Sequence, residues 1–177
     1  MDPKTLANRL ARQYGTRDPF RLAAELGISV FHAHLGSTWG YSVTSCRIPC
    51  VCLSDNLDEK FLSFTLAHEI GHFLLHRRLS FPFLAYHTFF GTDHFEREAN
   101  AFAVELLLPD EILREYPDCP VSNLARLQGI PEKFAGAEGG RRRLCDGRLM
   151  LLEKRGVNDM DVVHPAKKSV IIECFPV

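Results

Sequence analysis

The chain has 177 residues and a mass of 20.0 kDa, room for one compact domain with a short appendage and too little for two catalytic domains. Hydrophobic residues at 46% and charged residues at 24% are ordinary globular values, which excludes a disordered or collagen-like chain. A formal net charge of -1 and a pI near 6.7 provide no global attraction to acidic membranes or to phosphate backbones, so the composition argues against direct nucleic-acid binding.

The first residues, Met1 to Gln13, are polar and charged without an apolar signal core, and nowhere do about 18 uncharged apolar residues run together. The reading is a soluble cytoplasmic protein with no membrane partner. In that reducing setting the six cysteines, Cys46, Cys50, Cys52, Cys119, Cys145 and Cys174, are expected as thiols. Cys46, Cys50 and Cys52 lack the paired two-residue spacings of a structural zinc knot, and IPCVCLS reads instead as a buried strand.

Leu6, Leu10 and Tyr14 fall at helical spacing, and Asp18 followed by Pro19 predicts a capped second helix that Gly27 closes. From Ile28 to Leu53, ISVFHAH, WGYSV and IPCVCLS, punctuated by Gly36, Gly40 and Pro49, predict three short strands in a small mixed or antiparallel sheet. Asp55, Asp58 and Glu59 stand where caps and first-turn acids belong, ahead of the apolar periodicity of Phe61, Leu62, Leu66, Ile70, Phe73 and Leu74. This is the expected main helix. The aromatic segment FPFLAYHTFFG, broken by Pro82 and Gly91, reads as a loop, and Phe95 to Leu108 as the next helix, stopped by Pro109. SNLARLQGIPEKF has the order helix, glycine turn, helix start. It suits either a helix-turn-helix-like unit or a hairpin packed on the core. The fold class is therefore α+β, with a first domain at 1–137 that includes the helix-turn-helix-like segment at about 120–137. A C-terminal extension, 138–177, differs in character: Arg141, Arg142 and Arg143 lead strand-like stretches, with 8 basic against 5 acidic residues over 141–177.

His68-Glu69-Ile70-Gly71-His72 is an H-E-x-x-H pattern inside the expected main helix. Residues four apart on a helix share a face about 6 Å apart along the axis, so both imidazoles reach one metal ion. Glu69 is rotated from His68 by roughly 100°, which suits a general base acting on the attacking water. A catalytic site of this type needs a third protein ligand, and Glu96 supplies it on the next helix, 24 residues after His72. Asn100, one turn on, shares the face of Glu96 and is placed to hydrogen-bond a ligating histidine; Glu98 points elsewhere. Tyr41, Tyr86, His87 and His94 are candidates to stabilise an oxyanion, and His76 follows His72 by one turn. The aromatic segment suits either a substrate groove or core packing beneath the two helices. The stretch 92–118, with 8 acids against 2 bases, suits either steering of a basic partner or a solvated face.

FTLAHEIGHFLLH followed by FEREANAFAVELLLPDE resembles the ImmA/IrrE family of metallo-endopeptidases, over about Asp18 to Phe134. The resemblance implies a small gluzincin-like protease fold that binds zinc, with manganese as the alternative. It further implies that such an enzyme cleaves a helix-turn-helix transcriptional repressor and so derepresses mobile-element or stress-response genes. By position, His68, His72 and Glu96 match the metal ligands, Glu69 the general base, and Asn100 the asparagine that follows the acidic ligand. Beyond about Ala137 no family pattern continues. Two other readings share some of these residues. One is a non-proteolytic metal-binding interaction module, a sensor or toxin–antitoxin component, against which the intact Glu69 argues. The other is a DNA-binding regulator built on 122–134 and Arg141–Arg143, against which the near-neutral charge argues.

Overall fold

In a computed structural model of the chain, residues 2–76 and 93–135 are described, together with the strand pairs 144–145 and 148–149. The chain forms two compact units, Met1–Arg141 and Arg142–Val177. The first begins with helix α1 (Pro3–Tyr14), whose N-cap Asp2 accepts from the Thr5 backbone N–H and whose C-terminus closes on left-handed Gly15. Helix α2 (Pro19–Glu25) has the expected Asp18 cap and N1 proline. Gly27, at φ +67°, ends it: Gly27 N–H bonds to the Ala24 carbonyl and Ile28 N–H to that of Ala23, which turns the chain into the sheet with Ile28 buried.

Three strands follow, β1 (Ser29–Ala33), β2 (Gly40–Ser45) and β3 (Ile48–Ser54), in the spatial order β1-β3-β2. β1 runs parallel to β3 and β2 antiparallel to it, so the sheet is mixed. Central β3 carries the buried residues Val51 and Leu53, as its apolar run predicts. A two-residue turn, Cys46 and Arg47, joins β2 to β3 with both φ angles positive, 50° and 67°. That is the handedness the twist of a tight hairpin demands, here without a glycine.

A short 3-10 turn (Glu59–Phe61), capped by Asp58, leads into helix α3 (Leu62–Leu75), the expected main helix. Helix α4 (Asp93–Leu107) packs along α3, and α1 packs against α4. Phe102, Leu66, Ile70, Leu106, Leu22 and Leu53, all fully buried, form the centre of a core shared by helices and sheet. Burying each such side chain is worth about 1.5–3 kcal/mol. At the rim, Lys4 of α1 bonds Asp110 at 2.7 Å, and Arg17 donates to Asn8 and to the Glu105 carbonyl at 2.7 and 3.2 Å, tying α1 to α4 and to the segment beyond it.

After Pro109 come α5 (Asp110–Glu115), α6 (Val121–Leu127) and the four-residue α7 (Glu132–Ala135). The order helix, glycine turn, helix is present at α6 and α7, and Leu124, Ala125 and Ile130 of this hairpin are buried in the common core. Gly129, at φ +68°, makes the turn by the same pair of carbonyl bonds as Gly27. Among the described residues, no helix is long and apolar enough to cross a membrane. In the second unit, β4 (Leu144–Cys145) pairs antiparallel with β5 (Arg148–Leu149). The strand-like stretches expected farther along, and the aromatic segment Phe81–Phe90, lie outside the described residues.

Candidate metal centre

Helix α3 carries His68, Glu69 and His72, and α4 carries Glu96 and Asn100. The two imidazoles stand one turn apart with their rings edge to face, and their Nε2 atoms are 3.0 Å from each other. Glu96 Oε2 lies 3.4 Å from His68 Nε2, and Glu96 Oε1 lies 3.2 Å from His72 Nε2. A tetrahedral ion with bonds of about 2.0–2.1 Å separates its ligand atoms by about 3.3 Å. The separations among His68, His72 and Glu96 therefore fit one small divalent cation, and the donor set of two imidazoles and a carboxylate suits zinc.

Gly71, inside the motif, lets the two helices approach. A Cβ there would stand 3.1 Å from Phe102 Cδ1 and 3.2 Å from the Ala99 Cα, both on α4, so the helices meet almost backbone to backbone. Glu96 and Asn100 lie on the α4 face turned toward the histidines, and Asn100 hydrogen-bonds the His68 side chain. Glu98, on another face, lies 3.3 Å from His94 Nε2 and 3.7 Å from His76 Nε2.

Glu69 is 7% exposed and faces the sheet, where Ser42 of β2 donates a hydrogen bond to it. Gly40, two residues earlier on the same face of β2, leaves room for Thr65, one turn before Glu69; a Cβ on Gly40 would come within 3.0 Å of Thr65 Cγ2. In the polypeptide alone, burial pushes the Glu69 carboxyl up despite the attraction of His68 and His72 and the bond from Ser42. Glu96 goes the other way: partial burial opposes its ionisation, but its bonds to the two imidazoles prevail and hold it well below the usual carboxylate range. For His68, burial opposes protonation, and the Glu96 hydrogen bond with the Glu69 and Glu96 charges outweighs it, so the ring is pushed up.

Of the oxyanion candidates, Tyr41 shares a hydrogen bond with Cys52 of β3, on the face of β2 opposite Ser42. Burial pushes its phenol up. His94 is engaged with Glu98, and Tyr86 and His87 lie outside the described residues. His76, at a helix end where a solvated ring is the ordinary expectation, is buried. Sequence reasoning alone does not find Ser42, Gly40 or Gly71. Gly71 has a signal, a glycine inside the helical motif, whereas Ser42 has none until strand pairing places it over α3.

This constellation, an H-E-x-x-H helix packed against a helix bearing a glutamate, belongs to a small metallopeptidase domain. The family model described as the IrrE N-terminal-like domain, a peptidase family, matches residues 16–136, and the chain belongs to that family. The match starts and ends within two residues of the stretch that carries the ImmA/IrrE resemblance. An uncharacterized immunity region protein 2 of Bacillus phage phi105 is 34% identical over 135 residues, 75% of this chain and 85% of the relative. The metallopeptidase ImmA of Bacillus subtilis (strain 168) is 36% identical over 63 residues, 36% of either chain.

Proposed function

We propose that the chain is a zinc-type metallo-endopeptidase in which His68, His72 and Glu96 hold the ion, Glu69 is the general base and Asn100 steadies His68. The observation that carries this reading is the convergence of three ligand atoms from α3 and α4 beside a buried carboxylate. A divalent ion held there supplies Lewis acidity, acidifying the attacking water and polarising the scissile carbonyl. Glu69 takes the water proton and returns it to the departing amine. Ser42 orients the Glu69 carboxylate through its hydrogen bond, and the wall formed by Thr65 and β2 keeps bulk water from the base's buried side. Hydrolysis proceeds without a covalent enzyme intermediate.

The substrate is a protein, a helix-turn-helix repressor in the cytoplasm, whose cleavage derepresses mobile-element or stress-response genes. Support comes from the phage relative, whose name places it in an immunity region. The test is incubation of the purified chain with the small helix-turn-helix protein encoded nearest to its gene, followed by mass spectrometry. One cut that disappears with chelator, returns with zinc or manganese and is absent with Glu69→Gln supports the proposal. Binding without cleavage under all metal conditions overturns it in favour of a non-proteolytic module.

A further inference from the structure

His76 ends α3, its backbone N–H bonded to the His72 carbonyl at 3.0 Å, and the residue is 7% exposed. A histidine at an open helix end satisfies its ring with water, but this ring is closed in by protein. It packs edge to face on Phe95 with 4.8 Å between centroids and tilts against His72 at 5.6 Å. The imidazole donates a hydrogen bond to the Phe95 backbone carbonyl. Its Nε2 has no hydrogen-bond partner among the described residues and faces Glu98 Oε2 at 3.7 Å.

Phe95 and Glu98 are three apart on α4, one face of its opening turns, and Glu96 lies between them. Glu96 is 52% exposed, so burial does little to fix its side chain, and helix ends are where a helix frays. We propose that His76 is a positioning residue for the metal site: by binding the Phe95 backbone and packing on the Phe95 ring it holds the start of α4 against the end of α3, which sets Glu96 against His68 and His72. This inference rests on the reading of those three residues as ligands.

The test is a double-mutant cycle read by zinc affinity in chelator competition, on wild type, His76→Ala, Glu96→Gln and the double variant, with the metal-free melting temperature measured in parallel. His76→Ala should weaken zinc binding roughly 10–100-fold. In the Glu96→Gln background the same replacement should change affinity by less than about threefold, because the ligand it positions is gone. His76→Asn keeps a donor within reach of the Phe95 carbonyl and should recover part of the loss; it also carries the cycle if His76→Ala fails to fold. Unchanged affinity in the single variant, or an equal loss in both backgrounds, overturns the positioning role while leaving the ligand set standing. Failure of the wild-type chain to bind zinc or manganese overturns the ligand set itself, and the inference with it.

Discussion

Glu69 and Glu96 are the same residue type at one site, and their surroundings drive them in opposite directions. Burial against the sheet raises Glu69, whereas the two imidazoles hold Glu96 ionised. The roles proposed for them separate in experiment. Glu69→Gln is expected to retain about one metal per chain and lose turnover by at least about 10²–10⁴-fold, by metal analysis and peptide cleavage together. His72→Ala is expected to lose both metal and activity; a fully loaded His72→Ala protein would remove His72 from the ligand set. These residues were legible because H-E-x-x-H and the later glutamate and asparagine are local spacings on helices. Ser42 was not, because its approach to Glu69 depends on which face of β2 turns toward α3, and that is set by pairing with β3, several residues away in sequence.

At the scale of elements, the close packing of α3 and α4 is the feature on which the proposed ligand set depends. Gly71→Ala would place a methyl group against Phe102 and the Ala99 backbone. We expect a loss of about 1–3 kcal/mol in urea unfolding together with weaker metal binding, because the helix bearing Glu96 must move away. Stability loss with unchanged metal affinity would show that the helix packing and the site geometry are uncoupled. Caps offer a cleaner local test. The Thr5 backbone N–H and hydroxyl hold the Asp2 carboxyl below its ordinary 3.8. A depressed carboxylate contributes stability that is complete above its unfolded value and lost as the pH falls through the lower folded value. Asp2→Ala should therefore cost, near neutrality, toward the low end of about 0.5–2 kcal/mol, since the cap is exposed, and that difference should shrink as the pH falls below the ordinary 3.8 and through the lower folded value. Urea midpoints of the two proteins at pH 7 and pH 2.5 check it. The helices and their caps were readable because periodicity, Asp-Pro and Gly signals all act within a few residues. Whether β1 would join parallel or antiparallel was not, since either register buries the same apolar residues and the choice falls to the path of the connecting chain.

For the whole molecule, the site joins α3 and α4, and both pack in the one core that also holds the sheet and α1. Metal bound there should stabilise the entire first unit and not a local loop, by about 2.7 kcal/mol at a free concentration one hundred times Kd. Chelation should then lower the melting temperature of the chain, and the shift should be absent in His72→Ala. The helix-turn-helix-like order of α6 and α7 was legible. Its packing was not, because only the tertiary structure shows Leu124, Ala125 and Ile130 buried with the core.

The turn at Cys46 and Arg47 reaches further than its size suggests. Its two side-chain-bearing residues occupy left-handed conformations that glycine or asparagine adopts more readily, so the hairpin carries local strain. In a hairpin, the turn counts the residues of one strand against the other, and a miscount by one inverts every side chain. Such a slip would turn Tyr41 or Val43 toward Glu69 in place of Ser42, exchanging a hydrogen-bond donor for a bulky ring or an alkyl group beside that carboxylate. Arg47→Gly, which relieves the strain, should tighten this frame of reading, whereas an insertion between Ser45 and Ile48 should disable the proposed base, Glu69, without touching any residue of α3.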